Sequence, residues 1–148
     1  MARSSRGSST KTVRGWILVI GDLVLDTSVV VAALRGVPGI AERLERAERL
    51  WLPLTALGEL ELGVELASNA GPQRAALDAF ISVVSILPAT TATTRHYAQL
   101  RGALARAGTP IPENDVWIAA VAREHGWPLA TRDAHFERIP GLAIQDWR

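Results

Sequence analysis

The 148-residue chain contains no cysteine. Disulfides, thiolate zinc sites and cysteine nucleophiles are therefore excluded. The absence also agrees with a reducing, cytoplasmic location. No apolar run approaches the ~20 residues needed to cross a bilayer. An excess of one charge is missing too: 16 Lys and Arg against 15 Asp and Glu leave a formal +1. Nothing in that total advertises nucleic acid, although a neutral sum can hide an acidic pocket beside a basic rim. What is present is 48% hydrophobic and 21% charged residues, the balance of one globular domain with a single substantial core.

Residues 1–15, "MARSSRGSSTKTVRG", are basic and rich in Ser, Thr and Gly, and the apolar "WILVI" follows. This has the outline of a signal peptide, but Asp22 interrupts the apolar stretch and no small-residue cleavage site follows. Residues 1–22 are accordingly read as a flexible N-terminal extension, and 23–148 as the folded domain.

Along the domain, short apolar stretches alternate with segments of helical period. "LVLD" (23–26) reads as a buried strand, and "TSVVVAALRG" as a turn into a helix ended by Gly36 and Pro38. Residues 39–50 carry Glu42–Arg46 and Glu45–Arg49 at i,i+4 spacing, which suits an exposed helix face. A second strand is expected at 50–55, limited by Pro53. Thr55 would then cap a helix over 56–68. Further helices are predicted over 72–82 and around Tyr97, Leu100, Leu104 and Ala107, where Gly108 ends the period. Residues 113–126 hold an apolar run from Val116 to Ala122, the mark of a buried helix. Strands at 83–87, 127–131 and 142–147 complete an α/β fold with a mainly parallel sheet.

Such sheets bind ligands beyond the carboxyl ends of their strands. Asp26 ends the first strand, Asp133 follows the fourth, Asp115 opens the buried helix, and Glu59 lies near the start of the helix after the second strand. Each has an ordinary explanation. Asp115 and Glu59 suit helix dipoles, at ~0.3–1 kcal/mol each; Asp133 suits a turn, and Asp26 an N-cap. Gathered at one edge, however, several carboxylates repel one another until one protonates or a cation joins them. Hard oxygen donors suit Mg²⁺ or Mn²⁺. His96, His125 and His135 form no recognised metal-binding pattern.

"VLDTSVVVAAL", "LTALGELELG", "IPENDVWIAAVA" and "LATRDAHFERIPGLAI", in this order and spacing, resemble the PIN-domain ribonucleases, and among them the VapC toxins of VapBC toxin–antitoxin systems. The resemblance spans roughly 23–147. Residues 1–22 depart from it, because the first Asp of the family comes a few residues after the initiator Met. The resemblance implies a PIN-like three-layer α/β/α sandwich and a metal-dependent endoribonuclease that hydrolyses RNA phosphodiester bonds. It also implies that Asp26, Glu59, Asp115 and Asp133 form the catalytic metal site for Mg²⁺ or Mn²⁺. Asp26 and Asp115 would be direct ligands, Glu59 a ligand directly or through water, and Asp133 part of a second metal position. Ser28, Asn114 and Thr131 match the small polar residues that support the carboxylates, although local capping explains them equally. The implied partners are RNA, a second copy of the chain, and a VapB-type antitoxin, giving a heterotetramer or larger.

Arg35 and Arg132 are the cations nearest these acids in sequence and are candidates for RNA-phosphate contacts, which position but do not specify a substrate. Leu57, Leu60, Leu62, Val64 and Leu66 give the 56–68 helix more apolar surface than one core stripe requires, so part of it is available for a protein interface. A haloacid-dehalogenase-type phosphatase would need a second Asp where Ser28 stands. A receiver domain would need an acidic pair at the first strand. A non-catalytic PIN-like module that binds RNA or protein is the remaining alternative, and it leaves four retained acids without a purpose.

Overall fold

The computed structural model of the protein describes residues 10–13 and 17–148. Strands β1 (Thr10–Val13) and β2 (Ile17–Leu25) pair antiparallel, Val13 opposite Ile17. Helices α1 (Thr27–Leu34) and α2 (Ile40–Glu45) lead to β3 (Ala47–Pro53). Helices α3 (Leu54–Glu65) and α4 (Ala70–Ile81) precede β4 (Ser85–Leu87). The long α5 (Thr91–Ala107) and α6 (Glu113–His125) are followed by β5 (Leu129–Thr131), a 3₁₀ turn (Ala134–Arg138) and β6 (Ile144–Asp146).

The main sheet has the order β4-β3-β2-β5-β6, and each neighbouring pair in it is parallel. From β2 the chain moves outward to β3 and β4, then crosses to β5 on the other side of β2. The order therefore reverses beside β2, and a crevice forms there beyond the carboxyl ends of β2 and β5. Asp26 follows β2 directly, and Asp133 lies two residues past β5.

Leu23, Val24 and Leu25 are consecutive and have no exposure. Because successive side chains of a strand point to opposite faces, both faces of the sheet must be covered. This is the expected three-layer α/β/α sandwich. Helix α6 is sealed in the same way: Val116 and Ile118 through Ala122 are buried, while Trp117 stacks on Tyr97 of α5 with ring centroids 3.9 Å apart. Gly126 ends α6 at φ 67°, a left-handed conformation that glycine adopts without steric cost.

Several boundaries differ from the sequence reading. β2 begins at Ile17 rather than Leu23. Asp22 is accommodated inside the strand, opposite Arg49, because its carboxylate accepts a hydrogen bond from Trp51 Nε1 at 2.8 Å. Of the extension read as flexible, residues 1–9 and 14–16 lie outside the described residues, whereas Thr10–Val13 and Ile17–Asp22 belong to β1 and β2. Residues 47–50, expected to continue a helix, are strand, since pairing with β2 overrides their local helical charge pattern. Finally, α3 starts at Leu54 behind Pro53, so Thr55 is inside the helix and is not its cap.

Candidate metal centre

The predicted acids do meet. Asp26, Glu59, Asp115 and Asp133 all line one open cleft of about 540 Å³ at the carboxyl edge of the sheet, together with Glu113 and His135. Among the described residues, no Lys or Arg lines it. Four separate elements deliver these side chains, so the cleft exists only in the folded chain.

Asp26 occupies the N-cap position of α1 but makes no capping hydrogen bond with its side chain. Instead its Oδ2 accepts from Ser28 Oγ at 2.6 Å and from Thr131 Oγ1 at 2.9 Å. The carboxyl group is thus turned from its own helix into the cleft, and the residue is only 3% exposed. Ser28 and Thr131 are themselves fixed: Arg132 N donates to Ser28 Oγ at 3.0 Å, and Asp133 N donates to Thr131 Oγ1 at 2.9 Å. A chain of hydrogen bonds therefore ties the end of β2 to the end of β5, and local capping alone does not account for Ser28 and Thr131.

Asp115 sits in the first turn of α6. Its Oδ2 lies 2.5 Å from His135 Nε2, and His135 Nδ1 lies 2.8 Å from Asp133 Oδ1. Asp133 also fills the turn role foreseen for it, capping the 3₁₀ turn by accepting from His135 N at 3.3 Å. Fully buried Phe136 anchors that turn in the core, where a phenylalanine typically contributes about 3–5 kcal/mol. The ring of His135 is therefore held in place.

Glu59 stands in the middle of α3, beyond its first turn. A helix-dipole role is thereby removed, because that effect fades within one turn. Among the described residues its buried Oε1 has no hydrogen-bond partner, and neither has Thr27 Oγ1 close by. Burial raises the Glu59 pKa above the ordinary glutamate value, and the charges of Asp115 and Asp26 raise it further. Thr27 and Asn114 oppose that shift without satisfying Oε1 in good geometry. Asp115 is likewise raised, first by burial and then by Asp26 and Asp133, against the lowering influence of His135. These are carboxylates short of positive charge. An unsatisfied buried carboxylate oxygen among hard oxygen donors fits a divalent cation.

The remaining candidates divide. Asn114 lines the cleft. Arg132 turns its guanidinium to the backbone, donating to the Trp147 carbonyl at 3.2 Å. Arg35 is exposed and lines a neighbouring groove of about 600 Å³, which shares Thr27 and Glu59 with the acidic cleft and is otherwise floored by Leu60, Val64 and Leu77. Four cleft residues escaped the sequence reading: Thr27, Pro112, Glu113 and His135. The signal for His135 was present in "TRDAHF", an Asp and a His two residues apart; it was passed over because it matches no familiar zinc pattern.

Comparison with known proteins agrees with this geometry. The family model described as "PIN domain" matches residues 23–142. A tRNA(fMet)-specific endonuclease VapC from Salmonella typhimurium is 35% identical over 129 residues, covering 84% of this chain and 96% of the relative. Ribonuclease VapC5 from Mycobacterium tuberculosis is 34% identical over 125 residues, covering 81% and 89%. Among solved structures, VapBC2 from Rickettsia felis, bound to a DNA fragment from its promoter, superposes with a TM-score of 0.81 at 28% identity, covering 86% of this chain and 99% of that one.

Proposed function

This chain belongs to the PIN domain family, as a homologue of its VapC ribonucleases, and from that premise we propose that it is a metal-dependent endoribonuclease and the toxin of a VapBC-type toxin–antitoxin pair. The observation that carries the metal-dependent part is the meeting of Asp26, Glu59, Asp115 and Asp133 in a cleft that no lysine or arginine of the described residues lines. A bound Mg²⁺ or Mn²⁺ activates water and neutralises charge on the phosphate undergoing hydrolysis. Asp26 and Asp115 are the proposed direct ligands. Ser28 and Thr131 set the orientation of Asp26 through their hydrogen bonds to Oδ2, and Asn114 lies beside Glu59. Glu59 contributes directly or through water, and Asp133 contributes to a second position.

RNA approaches over the open mouth of the cleft, with Arg35 and Arg132 as proposed phosphate contacts. Such contacts position the strand without reading its sequence. The initiator-tRNA specificity in the name of the Salmonella relative makes transfer RNA the first substrate to try. The structural neighbours are toxin–antitoxin complexes, which supports a small VapB-type antitoxin as partner, in a heterotetramer or larger built on a homodimer of this chain. Leu54 and Leu62 on α3 and Leu66 at its C-cap, between 52% and 76% exposed, provide apolar surface for such an interface. No helix of the described residues is long and apolar enough to cross a membrane, and an enzyme acting on cellular RNA would work in the cytoplasm.

The test is RNA cleavage by the purified chain with Mg²⁺ or Mn²⁺, with EDTA, and with Asp26→Asn. Metal-dependent cutting that disappears in the variant is the expected result. Cutting that survives both EDTA and the substitution would sink the proposed chemistry.

A further inference from the structure

His135 was not among the residues the sequence singled out, and among the described residues it is the one imidazole within an acid-lined cleft. One ligand atom each from Asp115, Asp133 and His135 lies within 4.8 Å of the other two. The imidazole touches both carboxylates, with Nε2 toward Asp115 and Nδ1 toward Asp133. Its side chain is 22% exposed, which leaves it accessible from the cleft while its backbone is held by the turn and by buried Phe136. A six-coordinate cation with ligands at about 2.1 Å spaces adjacent donors by about 3 Å. One imidazole gives a cation only one of its nitrogens, so the ion takes the place of one of the present contacts of 2.5 and 2.8 Å. That needs only a small opening, and the other carboxylate reaches the ion within the 4.8 Å that spans the three ligand atoms. The unpartnered Glu59 Oε1 in the same cleft is a separate indication that a positive group belongs there.

We propose that His135 is a nitrogen ligand of the cation held between Asp115 and Asp133, and that it biases this site toward Mn²⁺ over Mg²⁺. This rests on the reading of the cleft as a metal site and adds to it a ligand and a metal preference. The chemical reason is donor type. Mg²⁺ demands oxygen ligands and keeps its waters, whereas imidazole nitrogen binds progressively better along the first-row transition ions. A purely acidic site discriminates little between the two; one with a fixed imidazole does. The competing account is that His135 only bridges two carboxylates and leaves when a cation arrives.

The two accounts separate by pulsed electron paramagnetic resonance of the full-length protein loaded with Mn²⁺, which detects a ¹⁴N nucleus bonded to the ion. Calorimetric titration with Mn²⁺ and Mg²⁺ runs beside it, on the wild type, His135→Gln and Asp115→Asn. Expected is a ¹⁴N coupling in the wild type that is lost in His135→Gln, with Mn²⁺ binding weakened by at least the roughly 10–100-fold that loss of an outer-shell partner costs and Mg²⁺ binding changed much less. A His96→Gln/His125→Gln double variant that keeps the coupling assigns it to His135, even if His135→Gln does not fold. Mn²⁺ bound tightly with no nitrogen coupling overturns the inference and leaves the metal site standing. Mn²⁺ binding that is absent, or unaffected by Asp115→Asn, overturns the metal site and this inference with it.

Discussion

Glu59 and Glu61 are two residues apart in the chain and alike in chemistry but opposite in circumstance. Both lie on α3. Glu61 faces out and pairs with Arg74 through contacts of 2.6 and 3.1 Å, which pull its pKa below the ordinary value. Glu59 faces the cleft, has no arginine partner among the described residues, and is pushed the other way by burial and by Asp115 and Asp26. The same contrast recurs at the C-terminus, where Arg148 holds Asp146 down to about 2. The protein has arginines enough to neutralise its acids, and on the surface it uses them. At the carboxyl edge of the sheet it does not. An acidic cluster whose one basic partner among the described residues is the imidazole of His135 is unfavourable for folding and useful for holding a cation, a familiar exchange of stability for function.

The contrast can be broken first at the cleft. Removing the direct ligand in Asp26→Asn or Asp115→Asn should lower cleavage by roughly 10³-fold or more, since a metal supplies several kcal/mol of charge stabilisation. Far-UV circular dichroism should be unchanged. Next, divalent cation should raise the melting temperature of the wild type but not of Asp115→Asn. At 100 times the dissociation constant the gain is about 2.7 kcal/mol, and a chain of this size shifts about 2–4 °C per kcal/mol. EDTA should reverse it.

Without metal, the sign inverts for Glu59→Gln, which should melt a few degrees above the wild type. A carboxyl group whose pKa is raised by folding contributes fully below its unfolded value, here 4.5, and loses that contribution as pH rises through the folded value. The difference between variant and wild type should therefore be absent well below pH 4.5 and open toward neutrality; thermal scans across pH would show it. The smallest effect belongs to Glu61→Gln. Its pKa is lowered, so its contribution is present above the unfolded value and fades as pH falls. Both partners are more than 40% exposed, so the melting temperature should barely move, and less still in high salt.

Much of this was readable beforehand, for definable reasons. Asp26 and Asp115 stand at the ends of strongly patterned apolar runs, and element ends are where a parallel sheet places its ligands. The buried character of α6 followed from its unbroken apolar stretch. Residues 47–50 were misread because their charge spacing is helical, while the deciding interaction, pairing with β2, is remote in sequence. The ordinary explanation of Asp26 as a helix cap also fitted the sequence equally well. Only the hydrogen bonds from Ser28 and Thr131 show that its carboxylate is directed elsewhere.

By itself, then, the sequence determined the alternation of strand and helix, the burial of α6 and the identity of the four acids, because hydrophobic period and residue type are local properties. Tertiary structure decided what those acids face. The reversal of strand order beside β2 brings Asp26 and Asp133, distant along the chain, to one crevice. It also seats His135 between Asp115 and Asp133. Among the described residues it leaves Glu59 without an arginine while giving one to Glu61. Charge compensation depends on distance in space, and no local pattern encodes it.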